Sequence, residues 1–343
     1  MWPWRRLECR NMDGIINIYK EAGYTSSDVV AKLRGILRQK KIGHTGTLDP
    51  AAEGVLPICL GKGTKLVDML TEERKTYRAV LLLGRETDTQ DTTGTTLRET
   101  DFAAFLEETG QTAETFARKL TETAAGYAGD YMQIPPMYSA LKVNGKRLYE
   151  LARKGVEVER KPRLQHIYRI DIDRVDLPRA EITVECSRGT YIRTLCHDIG
   201  RDLGCGGCME HLLRTQVGPF LLADSLKFAD VERFRDEGRI SEILIPADRI
   251  LSDIPEFHSG DQGLDRLLKN GNPFPEEYLN PADVPAGKSP ESGAAPAPEN
   301  AGAAAGEETP GLCVRVYDSE GRFIGVYRYQ KSRQLWKAER IFI

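Results

Sequence analysis

The amino-acid sequence predicts an α+β protein with two domains, and two observations support this expectation. Predicted strands and helices follow one another without the regular βαβ order of a doubly wound sheet, which favours a mixed architecture. The chain has 343 residues, of which 40% are hydrophobic. It is therefore longer than one typical domain and can bury a substantial core.

The elements of the larger domain can be assigned in chain order. Gly14–Lys20 is predicted as a strand, a turn follows at Gly23, and Ser26 or Ser27 is expected to cap a helix. Apolar residues at helical spacing predict one buried stripe on this helix. The stripe consists of Val29, Val30, Leu33, Ile36 and Leu37.

A loop rich in Gly, Thr and Pro comes next, from Gly43 to Gly54, and fits neither the helical nor the strand period. It precedes the apolar run Val55–Leu60. Strands are predicted at Tyr77–Leu83 and at 180–186, and helices at 112–123 and 190–203. Gly204 is expected to stop the last of these helices.

The end of the chain predicts a small β domain with an insertion. From Phe274 to Pro310 the composition shifts to Pro, Ala, Gly and Glu, which is typical of a flexible segment, placed at about 280–310. Short strands are expected at Leu312–Tyr317, Phe323–Tyr329 and Arg340–Ile343, with a turn at 319–321. We predict one domain at 12–245 and a second at 246–343.

Composition restricts the setting in which the protein works. No apolar run approaches the roughly 18 residues of a spanning helix, and residues 1–10 lack a signal-peptide core. Seven cysteines, an odd number, are typical of thiols in a reducing compartment, so we expect a cytoplasmic protein without membrane contact. Residues 1–11 are interpreted as an extension, because Met12 could equally be the start.

Charge is distributed unevenly along the chain. The net charge is −3, yet residues 142–163, called the basic segment below, contain eight Lys and Arg against three Glu, which gives +5. Such a surface is a candidate for binding nucleic-acid phosphates. A solvated helix and loop with ordinary lysines would have the same composition.

The loop at 43–54 contains one carboxylate, Asp49, between Leu48 and Pro50. Its glycines allow sharp turns and a close approach of the backbone to a ligand. An Asp before Pro is by itself commonly a turn former, so the surrounding sequence decides its interpretation.

That surrounding sequence, GHTGTLDPAAEGVLPICLGKGTKL at Gly43–Leu66, closely resembles the signature of the TruB family of tRNA pseudouridine synthases. The resemblance continues through blocks that cover most of the larger domain, and the last thirty or so residues resemble a PUA-type RNA-binding domain. The further blocks are GYTSS (23–27), KTYRAVLLLGRETDTQDTTG (75–94), QIPPMYSALKVNGKRLYELAR (133–153), CSRGTYIRTLCHDIG (186–200) and LGCGGCMEHLLRTQVGPF (203–220).

The resemblance implies the pseudouridine synthase fold, which has a mixed, largely antiparallel central sheet flanked by helices and loops, with a small C-terminal β-rich RNA-binding domain. It also implies the catalytic residues. Asp49 would be the nucleophile, attacking either the sugar or the base ring, and Arg193 would be its cationic partner. Tyr77 would stack on the flipped base, and Lys20 would support the site.

Binding roles follow from the same resemblance. His44 would stabilise the RNA loop that the base has left, Tyr191 and Leu212 would line the uracil pocket, and Gly43 begins the substrate-binding signature. The implied substrate is the T-arm of tRNA, with the uridine conventionally numbered 55 as target. A monomer without guide RNA is expected, and neither cofactor nor metal is required, because uracil is moved rather than oxidised or reduced.

Three other interpretations remain open. Cys205 and Cys208 have the CxxC spacing of zinc ligands, with Cys196, His197 and His211 nearby in sequence. An RNA-binding or chaperone protein would need the basic segment and the β domain but not Asp49. A synthase acting on another RNA would share the aspartate.

Overall fold

A computed structural model describes residues 12–143, 145–285 and 312–343. The predicted extension at 1–11 and residues 286–311 of the predicted insertion lie outside the described residues. Residues 280–285, at the start of that insertion, include a single 3₁₀ turn at Pro281–Asp283.

Strands and helices alternate irregularly along the described residues. The strands are β1 (Gly14–Lys20), β2 (Ile42–His44), β3 (Glu53–Leu60), β4 (Lys75–Leu83), β5 (Arg85–Thr87), β6 (Thr96–Glu99), β7 (Gly129–Gln133), β8 (Lys142–Val143), β9 (Lys146–Arg147), β10 (Arg163–Asp176), β11 (Arg179–Cys186), β12 (Gly207–Val217), β13 (Phe220–Leu221), β14 (Glu256–His258), β15 (Phe274–Pro275), β16 (Cys313–Tyr317), β17 (Phe323–Gln330) and β18 (Leu335–Ile341). The helices are α1 (Ser26–Leu37), α2 (Val67–Glu72), α3 (Phe102–Glu108), α4 (Ala113–Ala125), α5 (Leu148–Ala152), α6 (Ile192–Leu203), α7 (Phe228–Asp236), α8 (Ile240–Ile243), α9 (Ala247–Ile250) and α10 (Gln262–Lys269).

The larger sheet is mixed, as predicted. Its order is β1-β3-β12-β4-β11-β10-β7, with β2 paired to β3 and β13 paired to β12. β12 runs parallel to β3, whereas the other ladders of this sheet are antiparallel. The sequence interpretation of an α+β fold with a largely antiparallel sheet is confirmed.

Helices α4 and α6 cover one face of this sheet. Phe116 and Leu120 of α4 and Leu195 and Ile199 of α6 are fully buried against alternate residues of β4 and β11. Alternation along a strand sends every second side chain to this face. Helix α6 therefore has a fixed position above the sheet, which matters because its first turn contributes to the site.

A second, five-stranded sheet in the order β14-β16-β17-β18-β15 lies at the C-terminal end of the described chain. Trp336 and Tyr327 are fully buried inside it. One hydrophobic cluster joins this sheet to the larger one, since it contains Val326 and Phe342 together with Val55 of β3. The predicted C-terminal β-rich region is thus present and is packed on the larger sheet.

Two details of the sequence interpretation are wrong. Helix α1 is capped by Thr25 rather than Ser26 or Ser27, because Thr25 accepts a hydrogen bond from the backbone N–H of Asp28 while the Asp28 carboxylate accepts one from that of Thr25. The last strand begins at Leu335, five residues before the predicted Arg340, because the exposed charged residues Lys337 and Glu339 alternate with less exposed ones along a single strand.

Most other predicted elements have the expected type, with ends that differ by a few residues. The α1 stripe is buried, and Gly204 stops α6 with a φ of +87°. None of the described helices is long and apolar enough to cross a membrane.

Candidate active site

Four strands of the larger sheet bring one residue each into a single row. The registers pair Lys20 of β1 with Gly54 of β3, Gly54 with Arg214 of β12, and Arg214 with Tyr77 of β4. Gly54 has a φ of +106°, and a Cβ there would lie 2.2 Å from the carbonyl oxygen of Arg214. A glycine is therefore required for β3 to lie against β12 at the entry of the Asp49 loop.

Lys20 is fully buried and holds the backbone of that loop. Its ammonium group donates hydrogen bonds to the carbonyl oxygens of Glu21 (3.1 Å), Pro50 (3.2 Å) and Ala52 (2.6 Å). Three donors and three carbonyl acceptors match the capacity of an ammonium group. Burial lowers the pKa of Lys20 to about 8, although the nearby Glu53 and Asp49 carboxylates act to raise it.

Other bonds fix the same loop on both sides of Asp49. The backbone N–H of Leu48 donates to the Ser26 hydroxyl at 2.9 Å. The Pro50 carbonyl accepts from the N–H of Gly23 at 2.8 Å, and the Asp49 carbonyl accepts from that of Ala52 at 3.1 Å. The carboxylate is thus presented by a loop tied to α1 and to the turn before it.

Arg193, in the first turn of α6, forms an ion pair with Asp49. Its Nε lies 2.9 Å from Oδ2 of Asp49, and its side chain is only 5% exposed whereas that of Asp49 is 40% exposed. Nη1 donates to the carbonyl of Thr89 at 3.0 Å and Nη2 to that of Tyr138 at 2.9 Å. The guanidinium is therefore held in one orientation by three different segments.

A second carboxylate, Asp91, lies on the other side of Arg193. Its Oδ2 is 3.5 Å from Nη1 of Arg193. Its Oδ1 accepts hydrogen bonds from the hydroxyls of Thr89 (2.8 Å) and Thr93 (2.5 Å). Hydrogen bonds within its own turn thus fix Asp91, and its other carboxylate oxygen, Oδ2, faces Arg193.

The surroundings raise the pKa of Asp49 above its ordinary value. Burial is the largest cause and Asp91 adds to it, whereas Arg193 and Lys20 act in the opposite direction. A carboxylate that is partly desolvated, ionised and still open to solvent on one side is a suitable nucleophile. The arrangement can present such a group to a ligand that covers the exposed side.

Tyr77 and Arg214 form the floor of the site. Tyr77 is 8% exposed and Arg214 is 1% exposed. Arg214 donates from Nε to the carbonyl of Val55 at 2.7 Å, while its Nη2 has no hydrogen-bond partner among the described residues. Burial raises the pKa of the Tyr77 phenol, and Arg214 beside it opposes that rise.

The remaining predicted binding residues lie on elements around this floor. Gly43 and His44 end β2, where the His44 Nδ1 accepts from the N–H of Gly46 at 3.3 Å and burial lowers the imidazole pKa. Tyr191 is the N-cap residue of α6. Leu212 is buried in β12 and belongs to the same hydrophobic cluster as Tyr77.

The basic segment adjoins the site. Tyr138, whose carbonyl contacts Arg193, precedes the β8–β9 hairpin by a few residues, and Leu148 and Tyr149 bond back to the 139–141 stretch. Most of the segment's cations are exposed. The exposed ones are Lys142, Lys146, Arg147, Arg153, Lys154, Lys161 and Arg163.

Cys205 and Cys208 are buried, and the Cys205 thiol lies 3.3 Å from the carbonyl of Gly206. Within the described part of the chain, no group of three or more His, Cys, Asp or Glu side chains is arranged to hold a metal ion. The spacing that suggested zinc therefore corresponds here to two buried thiols, one in the loop after α6 and one in β12.

Sequence reasoning missed Asp91 and Arg214 as members of this site. Asp91 lies in the quoted block at 75–94, among several Asp and Thr residues that no local pattern distinguishes. Arg214 could have been found only from the strand register that places it beside Tyr77.

Comparison with solved structures identifies the fold. Two solved structures share the fold. The first, titled Cbf5-Nop10-Gar1 complex, is 21% identical with a TM-score of 0.64, and the match covers 97% of this chain and 85% of that one. The second, titled H/ACA RNP bound to a substrate RNA containing 2′-deoxyuridine, is 20% identical with a TM-score of 0.62, and the match covers 96% of this chain and 85% of that one. These likenesses show that the chain shares the fold of those proteins.

Sequence comparison is more specific. Residues 34–192 match the TruB family pseudouridylate synthase (N terminal domain), and residues 193–252 match the tRNA pseudouridylate synthase B C-terminal domain. The tRNA pseudouridine synthase B of Clostridium tetani is 48% identical over 260 residues, covering 76% of this chain and 85% of that protein. The one of Lachnoclostridium phytofermentans is 42% identical over 340 residues, covering 97% and 100%.

The chain belongs to the TruB family of pseudouridine synthases. It is an isomerase that acts on tRNA. The resemblance stated from the sequence is confirmed at this level; the roles of individual residues remain predictions.

Proposed function

We propose that this enzyme converts the T-loop uridine at position 55 of tRNA to pseudouridine, with Asp49 as nucleophile. The observation that supports this most strongly is the ion pair between Asp49 and Arg193. It joins a partly exposed carboxylate to a buried guanidinium that is fixed by Thr89 and Tyr138. A pair that only stabilised the fold would not need its anion presented to solvent.

The reaction exchanges one bond to C1′ of the ribose for another. The bond from C1′ to N1 of uracil breaks, a bond from C1′ to C5 forms, C5 loses its proton and N1 gains one, so no oxidant or reductant is consumed. The Asp49 carboxylate forms a transient covalent bond, which divides the exchange into two easier steps. Attack on C1′ of the sugar and attack on the uracil ring are both compatible with this geometry.

The target base must leave the structured T-loop before Asp49 can reach it. Extrusion of a base costs a few kcal/mol, and stacking on Tyr77 would offset about 1 to 3 kcal/mol of it. Tyr191 and Leu212 would line the uracil pocket. His44, with Gly43 before it, would support the RNA loop that the base has left.

Lys20 acts through the loop rather than on the substrate. Its ammonium group is fully buried and already bonded to three carbonyl oxygens. Its positive charge also favours ionisation of Asp49. Asp91 has the corresponding role for Arg193, because it fixes the guanidinium from the side opposite Asp49.

We infer that the basic segment binds phosphates of the T-arm next to the site. Several of its exposed cations form no ion pair with a described carboxylate. Such cations are available to bind RNA phosphates. These are Lys142, Lys146, Arg153, Lys154, Lys161 and Arg163. The C-terminal sheet is proposed to act as a PUA-like RNA-binding domain, and the enzyme to work as a monomer, without guide RNA, in the cytoplasm where tRNA matures.

Tritium release from C5 of labelled uridine in an unmodified tRNA transcript tests the target position. We expect release from the wild-type transcript and none from a transcript in which cytidine replaces the T-loop uridine. Release that survives this replacement would contradict the assignment of position 55. Absence of release from both transcripts would contradict the proposed activity and favour a role in RNA binding alone.

A further inference from the structure

Gln133 holds the backbone of Tyr191 through its side-chain amide. Gln133 ends β7 and is 1% exposed. Its Oε1 accepts from the N–H of Tyr191 at 2.8 Å, and its Nε2 donates to the carbonyl of Tyr191 at 3.0 Å. One side chain thus makes the pair of hydrogen bonds that a residue of a neighbouring antiparallel strand would make.

The residue that Gln133 holds is the N-cap of α6. Backbone N–H groups at the start of a helix lack intrahelical partners, and a side chain usually satisfies one of them. Tyr191 makes no such hydrogen bond with its own side chain. Gln133 supplies a partner from a strand 58 positions earlier in the chain, and so fixes where this helix starts.

The start of α6 determines the position of the arginine that pairs with Asp49. Arg193 is two residues beyond Tyr191, and its guanidinium must meet Asp49, Thr89 and Tyr138 together. Functional groups of a catalytic site must be held to within about 0.5 Å of their productive geometry. A first turn that shifts or frays would lose the ion pair without unfolding the helix, because Leu195 and Ile199 still anchor it in the core.

We propose that Gln133 is a positioning residue for the reaction: by bracketing the backbone of Tyr191, it places both the Tyr191 ring and the Arg193 guanidinium. The inference rests on the proposed function, since it assigns those two groups to the uracil pocket and to the nucleophile. Gln133 itself touches neither the substrate nor the reacting atoms. This role explains why a polar residue, Gln133, is buried at the end of the edge strand β7.

The test compares Gln133→Met with Asn17→Leu. Methionine keeps the length of the side chain and removes both hydrogen bonds. Asn17 is a matched control, because it is 4% exposed and donates one buried side-chain amide bond, to the carbonyl of Leu221 at 2.8 Å, on the β1 side of the sheet. Gln133→Met loses two hydrogen bonds and Asn17→Leu loses one. Because the Asn17 Oδ1 has no hydrogen-bond partner among the described residues, Gln133→Met should lose more thermal stability than Asn17→Leu.

We expect Gln133→Met to slow single-turnover conversion about 10- to 100-fold per folded molecule, with tRNA affinity unchanged, since misplacement by 1 Å can cost about 10²-fold. Asn17→Leu should convert tRNA at the wild-type rate. Gln133→Asn, which keeps the amide on a side chain one methylene shorter, should fold and give an intermediate rate. It serves as the second variant if Gln133→Met does not fold.

The pH dependence of the single-turnover rate separates positioning from general stability. Arg193 and Lys20 lower the pKa of Asp49, while burial and Asp91 raise it. A displaced Arg193 lets that pKa rise, so the acid limb of the rate profile should move to higher pH in both Gln133 variants and stay in place in Asn17→Leu.

A Gln133 variant with the wild-type rate and the wild-type acid limb would overturn the positioning role, whatever its melting temperature. Wild-type enzyme and Asp49→Asn, which both retain Gln133, report on the proposed function in the same assay. A wild type that converts no uridine, or an Asp49→Asn that converts it normally, would overturn the proposed function together with the role of Gln133.

Discussion

The Asp49 loop and the basic segment both adjoin the site around Arg193, and they are built in opposite ways. The loop is held by a buried ammonium, a serine hydroxyl and an arginine whose three nitrogens each contact a partner within the protein. The basic segment carries exposed cations, of which Lys142, Lys146 and Lys154 form no ion pair with a described carboxylate.

This difference indicates separate tasks for the two regions: the Asp49 loop for the chemical step and the basic segment for affinity for tRNA. Groups that must hold a precise geometry are satisfied internally before the substrate arrives, so that little reorganisation is needed during the reaction. Groups that bind a polyanion gain by staying solvated until counterions are released on binding. Changes in the first region should therefore alter rates, and changes in the second should alter affinity and its salt dependence.

Arg193→Lys should give the largest effect among variants that keep every charge. An ammonium cannot meet Asp49, Thr89 and Tyr138 in the planar arrangement of a guanidinium. We expect single-turnover conversion to fall by about 10²-fold, and its acid limb to move to higher pH, because burial then raises the pKa of Asp49 with less opposition. Quench-flow tritium release across pH measures both. An unshifted acid limb would show that Arg193 does not control the ionisation of Asp49.

Tyr77→Leu should give the next largest effect. Loss of a stacking platform worth about 1 to 3 kcal/mol corresponds to about a 5- to 150-fold loss in the population of the flipped base. The comparison uses a transcript whose T-loop is weakened by an adjacent mismatch, which should partly rescue the variant by making extrusion easier. Equal losses on both transcripts would assign Tyr77 a role other than stabilising the flipped base.

Lys142→Gln combined with Lys146→Gln should lower tRNA affinity without changing the rate of bound tRNA. Each lost phosphate contact should reduce the slope of log affinity against log salt by about 1. Lys119→Gln, on the exposed face of α4, is the control. An unchanged salt slope in the double variant would remove these lysines from the RNA interface.

Lys20→Met should show the smallest effect, which is seen in stability against pH. Burial lowers the pKa of Lys20 in the folded protein to about 8, whereas an ordinary lysine has a pKa of 10.5. Between these values the unfolded chain binds a proton that the folded chain does not, so raising the pH favours the folded wild type. In thermal unfolding, the melting temperature of the wild type relative to that of Lys20→Met should increase as the pH rises through this window. A difference that stays constant would indicate an unperturbed lysine.

Much of the site could be anticipated from the sequence because its residues are contiguous in recognisable blocks. Gly43, His44 and Asp49 belong to one loop, and the spacing of apolar residues predicts α6, which begins directly before Arg193. The ion pair between Asp49 and Arg193 was expected from the family resemblance, and the structure brings the two side chains together.

Other features depend on contacts between distant segments, which no local pattern encodes. Gln133 meets Tyr191 across 58 positions, and Asp91 meets Arg193 across 102 positions. The row of Lys20, Gly54 and Arg214 follows from strand register alone. The start of β18 was missed because its polar alternate residues weaken the apolar pattern that marks the other strands.

The most direct test of the separation between chemistry and affinity is Asp49→Asn, assayed for single-turnover tritium release and for tRNA binding on the same preparation. Asparagine has nearly the same shape but cannot act as the anionic nucleophile. We predict that release falls on the order of 10³-fold or more, while the dissociation constant for tRNA stays that of the wild type. Release near the wild-type rate would contradict Asp49 as the nucleophile, and a large loss of affinity would contradict the division between the two regions.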